Sequence, residues 1–126
     1  MRSLLPQIAV LMGTYNGAEF LPEQLASLAA QTHTNWRLWV SDDGSSDATP
    51  GILRRYQEAW GENKLSILAG PRRGFQANFL ELTAQPEISA DYYAWADQDD
   101  VWLPEKLARA LECLQPFGSE DRKSVV

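Results

Sequence analysis

Ile8-Ala9-Val10-Leu11-Met12, running into Gly13-Thr14-Tyr15-Asn16-Gly17, is the stretch on which the fold turns. Five apolar residues without alternation fit a strand covered on both faces, and such strands belong to parallel sheets. The Gly-containing turn then marks the strand's carboxyl end. Outward from it, Pro22 suits the first helical position, and Leu21, Leu25, Leu28 and Ala29 line one face of a helix. Residues 36–40 read as a second strand, ending at Ser41-Asp42-Asp43-Gly44. Thr49 as N-cap and Pro50 behind it start a second helix, with Ile52, Leu53, Tyr56 and Trp60 at helical spacing. A third strand is expected over 65–69, then the loop Gly70-Pro71-Arg72-Arg73-Gly74. A helix over 75–83 comes next, with Phe75, Phe79 and Leu82 on one side. Residues 92–96 form the fourth strand, and Leu103-Pro104 opens a last helix carrying Leu107, Leu111 and Leu114. This alternation predicts an α/β fold: a parallel sheet of about four strands with helices on its faces.

The alternation also locates the chemistry. In open α/β sheets ligands bind beyond the carboxyl ends of the strands. The first, second and fourth strands end in Gly13-Thr14-Tyr15-Asn16-Gly17, Asp42-Asp43-Gly44-Ser45 and Asp97-Gln98-Asp99-Asp100, and parallel strands bring these turns to one edge. In Asp97-Gln98-Asp99-Asp100-Val101-Trp102, three carboxylates fall within four residues. Two unit charges about 4 Å apart repel by roughly 4 kcal/mol at an effective dielectric near 20, so a partly desolvated cluster takes up protons or a counter-ion. Oxygen ligands favour Mg²⁺ or Mn²⁺, completed by water and substrate phosphates. An acidic turn leading into a helix is the plainer alternative. The first turn is neither a P-loop, since no Gly-Lys-Ser/Thr follows, nor a dinucleotide fingerprint, since the three spaced glycines are missing. Tyr15 either stacks on a base or packs in the core. Asp43 either accepts hydrogen bonds from a uracil or thymine imide or, with Asp42, makes an Asx-type turn before Gly44.

Composition sets outer limits. At 126 residues the chain is one domain or part of one, and 44% hydrophobic residues with five Trp supply a core. A net charge of −6, from 17 acidic and 11 basic residues, argues against a nucleic-acid binder. It leaves room for a phosphorylated small molecule, because a bound metal inverts the local charge. The lone Cys113 excludes an internal disulfide framework and a Cys-based metal site. The apolar start is too short for a signal peptide and no run approaches the ~18 residues of a membrane span, so a cytoplasmic location is expected.

Three blocks together resemble family-2 glycosyltransferases: Val10-Leu11-Met12-Gly13-Thr14-Tyr15-Asn16-Gly17, the run from Ser41-Asp42-Asp43-Gly44 to Asp47-Ala48-Thr49, and Asp97-Gln98-Asp99-Asp100-Val101-Trp102-Leu103-Pro104-Glu105-Lys106-Leu107. Their order and spacing carry the resemblance, which covers nearly the whole chain to about Phe117. It implies a GT-A (Rossmann-like) fold, truncated here, a nucleotide-diphosphate sugar as donor and Mg²⁺ or Mn²⁺ as cofactor. By the same resemblance Thr14 and Tyr15 lie at the nucleotide, with Tyr15 against the base and Asp43 on the base imide. Asp97 and Asp99 form the Asp-x-Asp that meets ribose and metal, and Asp100 is a further metal ligand. Arg72 and Arg73 fall in a loop that approaches the donor in relatives. Arg73 is the donor contact expected there, the alternative for one or both being a solvated surface position. The Asp-Gln-Asp-Asp-Val-Trp variant, with Gly74-Phe75-Gln76-Ala77-Asn78-Phe79, looks most like bacterial rhamnosyltransferases, which points to dTDP-rhamnose.

The resemblance further implies a hexosyl-type, inverting, metal-dependent transfer to a glycan or lipid-linked acceptor in polysaccharide biosynthesis. It leaves open a peripheral membrane association of the full-length enzyme. The base that deprotonates an acceptor hydroxyl lies well downstream of the Asp-x-Asp in the family. Residues 1–120 are therefore expected to be the N-terminal, donor-binding part, inactive by themselves. The alternative is a non-catalytic nucleotide-sugar-binding module. A receiver-like or phosphatase-like domain fits poorly, because the first strand ends in Gly13-Thr14-Tyr15 without a nucleophilic Asp. His33 reads as a surface residue, Cys113 as structural, and Trp39, Trp60 and Trp95 as core; Trp102 is the aromatic kept as site-shaping. The tail 121–126 is expected to be non-native, since GAT CGG AAG AGC GTC GTG would encode it and matches a common sequencing-adapter read; a naturally divergent tail is the alternative.

Overall fold

Successive residues of the first strand are buried in different cores. In β1 (Ile8–Thr14), Ile8, Val10 and Met12 enter the larger cluster and Ala9 and Leu11 the smaller one, all of them buried. That is why the run shows no alternation: both faces of the sheet are covered. The structure, a computed structural model, describes residues 6–97 and 100–114, apart from the side chain of Leu114. Asp99 and the expected non-native tail 121–126 lie outside the described residues.

β1 is followed by α1 (Leu21–Ala29), β2 (Trp36–Asp42), α2 (Thr49–Trp60), β3 (Leu65–Ala69), α3 (Phe75–Thr83), β4 (Tyr92–Asp97) and α4 (Lys106–Leu114). The four strands pair in parallel in the order β3-β2-β1-β4. One face of the sheet packs on Leu21, Leu25 and Leu28 of α1, Leu53 of α2, and Leu107 and Leu111 of α4. The other face meets Leu82 of α3, with Ala9, Leu11 and Trp39 against it. Each fully buried aliphatic side chain contributes roughly 1.5–3 kcal/mol relative to exposure. Among the described residues no helix is long and apolar enough to cross a membrane.

Several local expectations are revised. Ala29 is exposed, and Gln24 and Ser27 share the buried face of α1 with the leucines. Thr49 is the first residue of α2 and not its cap; Ala48 holds that position without a side-chain cap bond. The Thr49 N–H donates to Asp47 Oδ1 at 2.9 Å, so the anion at this helix start comes from Asp47. Thr49, first through its side chain and then its backbone N–H, lowers the Asp47 pKa below its ordinary value. The last helix begins at Lys106, after an exposed Leu103. His33 is buried, its Nε2 donating toward Pro6 O at 2.9 Å, so it ties down the entry to β1 instead of facing solvent. Cys113 is exposed.

Candidate functional site

Strand register brings the three turns together. Thr14 at the end of β1 pairs with Asp42 of β2, and Gly13 pairs with Asp97 of β4. The chain leaves β1 for β2 and β3 on one side, then returns to place β4 on the other. The crevice at such a reversal of strand order is where doubly wound sheets bind ligands. Here it holds a cavity of about 740 Å³, lined by Gly13, Thr14, Tyr15, Asp43, Gly44, Arg72, Gly74, Phe75, Asn78 and Asp97. Its volume suits a small-molecule ligand.

The first two turns are sewn to each other through side chains. Asp42 Oδ1 accepts from the hydroxyls of Thr14 (2.8 Å) and Ser45 (2.6 Å), and Oδ2 accepts from the Ser45 N–H at 3.0 Å. Asn16, in the left-handed region at φ 48°, donates its N–H to Ser45 Oγ and accepts the Ser46 N–H on Oδ1, both at 2.8 Å. The Gly17 N–H reaches Thr49 Oγ1 at 3.0 Å, and the Ala18 N–H reaches Asp47 Oδ2 at 3.2 Å. Asp42 thus makes the Asx-type turn expected of it before Gly44.

Asp43 is built differently. It is 7% exposed, and its carboxylate accepts the backbone N–H groups of Arg72 (2.6 Å, Oδ1) and Gly74 (3.0 Å, Oδ2). The carboxylate therefore sits at the N-terminal end of α3, where negative charge is favoured. Each of its oxygens keeps lone-pair capacity for a further donor. Arg72 has φ 60°, and its side chain crosses Gly44, where a Cβ would come within 3.0 Å of the Arg72 Cγ and Nε. Behind this corner, the Ser41 hydroxyl donates to Asn78 Oδ1 at 2.6 Å while Asn78 Nδ2 donates to Ser41 O at 2.8 Å. A Cβ at Gly70 would lie 2.5 Å from Asn78 Oδ1 and 2.8 Å from Asp43 Oδ1, so the corner closes only around glycine.

After β4 the described acids are left open. Asp97 and Asp100 are exposed, and among the described residues neither carboxylate accepts a hydrogen bond. The Asp100 N–H donates to Asp97 O at 3.1 Å. Asp97 lines the main cavity, whereas Asp100 borders a smaller one of about 340 Å³ with Trp102, Lys106 and Arg109. The described residues contain no group of three or more His, Cys, Asp or Glu side chains arranged to hold a metal ion. The donor chemistry of the two placed aspartates, exposed carboxylate oxygens on two separate cavities, is the hard-oxygen type that suits Mg²⁺ or Mn²⁺.

Of the residues singled out in the sequence, Thr14, Tyr15, Asp43 and Asp97 share the cavity. Arg73 is exposed and lies outside its lining, and Arg72 takes the place at the wall. Asn78 is a wall residue that sequence patterning does not single out; its position four residues before Leu82, on the same side of α3, is the available signal. Trp102 packs into the main core at 4% exposure and does not line the main cavity. Trp95, expected in the core, is 40% exposed and packs against Phe79 at 5.1 Å between ring centroids. Phe79 in turn meets Phe75, which is exposed and lines the cavity.

Residues 9–118 match the family model described as glycosyl transferase family 2. The dTDP-rhamnosyl transferase RfbG of Shigella flexneri is 33% identical over 106 residues, covering 82% of this chain and 36% of that protein. The UDP-Glc:alpha-D-GlcNAc-diphosphoundecaprenol beta-1,3-glucosyltransferase WfgD of Escherichia coli is 29% identical over 79% of this chain and 38% of its own length. Among solved structures, the mannosyltransferase PcManGT of Pyrobaculum calidifontis, in complex with GDP-Man and Mn²⁺, superposes with a TM-score of 0.77 at 27% identity. The match covers 87% of this chain and 32% of that one. The α/β sheet is thus of the GT-A type, and the chain spans about a third of the length of the relatives it matches.

Proposed function

The chain belongs to glycosyl transferase family 2, and from that premise we propose that its cavity holds the nucleotide-diphosphate end of a sugar donor. The convergence of the turns after β1, β2 and β4 on one crevice carries this reading. Tyr15, 57% exposed at the cavity wall, offers its ring to the base. Asp43, held in place by two backbone donors, accepts the imide N–H of uracil or thymine. That preference, with the likeness to a dTDP-rhamnosyl transferase, favours dTDP-rhamnose as donor. Thr14 sits beside the nucleotide, and Arg72, the arginine at the cavity wall, replaces Arg73 as the cationic donor contact.

Asp97, Asp99 and Asp100 would hold Mg²⁺ or Mn²⁺. When bound, such a cation acts as a Lewis acid for the charge that grows on the leaving diphosphate. Residues up to about 120 form the donor-binding part of an inverting transferase that acts on a glycan or lipid-linked hydroxyl. The acceptor class is supported by the likeness to an enzyme named for a diphosphoundecaprenol substrate. By itself this part binds donor and transfers little or no sugar.

The test is calorimetry of dTDP and UDP against the chain, with and without Mn²⁺. Binding is expected to strengthen with the cation, and Asp99→Ala to abolish that increment. Equal affinity in both conditions would count heavily against the assignment. Asp43→Asn, which replaces an acceptor-only group by an amide, should erase the preference for UDP over CDP.

A further inference from the structure

Helix α1 and the turn after it bury three polar side chains: Gln24 at 0%, Ser27 at 8% and Gln31 at 3% exposure. A buried amide or hydroxyl is costly unless its hydrogen bonds are made. Here they are made, partly within α1 and that turn, where Ser27 Oγ donates to Gln24 O and Gln31 Nε2 to Ser27 O, and partly to one distant stretch of backbone. Gln24 Nε2 donates to Asp97 O at 3.0 Å, and the Trp102 N–H donates to Ser27 Oγ at 3.1 Å. Gln31 Nε2 donates to Leu103 O at 2.7 Å, and its Oε1 accepts the Leu107 N–H at 3.1 Å. The single Ser27 hydroxyl proton is directed at Gln24 O at 2.6 Å, with Gln24 Oε1 at 3.1 Å, so Ser27 is itself held on Gln24.

Asp97 O is the acceptor that also takes the Asp100 N–H, so Gln24 grips the turn that carries the acidic run. Ser27 and Gln31 hold the chain where it leaves that turn for α4. All four bonds go to backbone atoms, so they fix the backbone at Asp97, Trp102, Leu103 and Leu107 whatever the side chains there do. We propose that Gln24, Ser27 and Gln31 are positioning residues: they set where Asp97, Asp100 and Trp102 stand after β4 and thereby the affinity for the donor. The second half of that statement rests on reading the cavity as a nucleotide-diphosphate site.

Gln24→Met keeps a similar volume and removes both hydrogen-bonding groups; Ser27→Ala removes the acceptor for Trp102. Leu28→Val, on the same buried face, controls for simple loss of packing. Two measurements separate aim from stability: amide hydrogen exchange at Asp100 and Trp102, and calorimetry with dTDP and UDP in the presence of Mn²⁺. Loss of one such bond corresponds to a factor of about five, so Gln24→Met should speed exchange at Asp100 and weaken nucleotide binding by about that much. Ser27→Ala should do the same with the exchange effect at Trp102. Leu28→Val should lower the thermal midpoint while nucleotide affinity stays within about twofold. The proposal is overturned if both polar variants lose thermal stability as Leu28→Val does but keep wild-type exchange at these amides and wild-type affinity. If Gln24→Met does not fold, Ser27→Ala decides alone. If the unaltered chain binds neither nucleotide, the donor reading has failed, and amide exchange by itself then upholds or overturns the tether.

Discussion

The turns after β1 and β2 are joined to each other through side chains, while among the described residues the acids after β4, Asp97 and Asp100, accept no hydrogen bond on their carboxylates and are approached through backbone atoms. Asp42 spends its carboxylate on Thr14 and Ser45, and Asp43 is aimed by the N–H groups of Arg72 and Gly74. Asp97 presents an exposed carboxylate at the β4 side of the crevice, and Asp100, exposed as well, borders the smaller cavity. The same residue type therefore serves two purposes within one site. On the β1–β2 side aspartate builds a fixed surface. On the β4 side the charge of the described aspartates stays in contact with solvent.

The contrast is most severely tested at Gly70. Gly70→Ala drives a Cβ to 2.5 Å from Asn78 Oδ1, and overpacking of this kind costs about 1–3 kcal/mol. Chemical denaturation should show that loss, together with weaker dTDP binding because Asp43 Oδ1 is displaced as well. Asp42→Ala comes next: Thr14 and Ser45 lose a shared acceptor, for a cost of about 2 kcal/mol in the same assay. Asp100→Asn should change stability by no more than about 0.5 kcal/mol while reducing the Mn²⁺-dependent part of nucleotide binding. A larger stability loss would show that the β4 turn is as structurally committed as the other two.

The smallest effect is expected at Asp47. Its pKa is lowered in the folded chain, chiefly by Thr49, so its contribution is present above the ordinary value of 3.8 and is lost as pH falls through the lower folded value. Urea midpoints of Asp47→Asn and the unaltered chain should differ at pH 7 and converge in acid below that value. A difference that persists unchanged there would remove the hydrogen-bonded charge as its cause.

The strands were legible because burial on both faces writes itself as unbroken apolar runs, as in 8–12. What sequence patterning mis-set were polar groups whose partners lie far along the chain. Gln24 finds its acceptor 73 residues away at Asp97, and hydropathy alone assigns that buried position to a residue such as Ala29. His33 was misplaced for the same reason, its ring being satisfied by the Pro6 carbonyl. Thr49 looked like a cap because local chemistry allowed it; the fold uses its hydroxyl to receive Gly17 instead. Choosing between Arg72 and Arg73 required the backbone, since the residue that turns toward the cavity is the one at φ 60°. Asn78 escaped notice because its partner, Ser41, sits in a strand 37 residues earlier.

That left-handed arginine has a consequence for how the sequence is free to drift. Glycine would occupy the Arg72 backbone conformation with less strain, so selection for heat resistance alone would erase the guanidinium. Arg72→Gly therefore separates two pressures that most substitutions confound: a variant that grows sturdier while its grip on the ligand fails would reveal a residue retained against the preference of its own backbone.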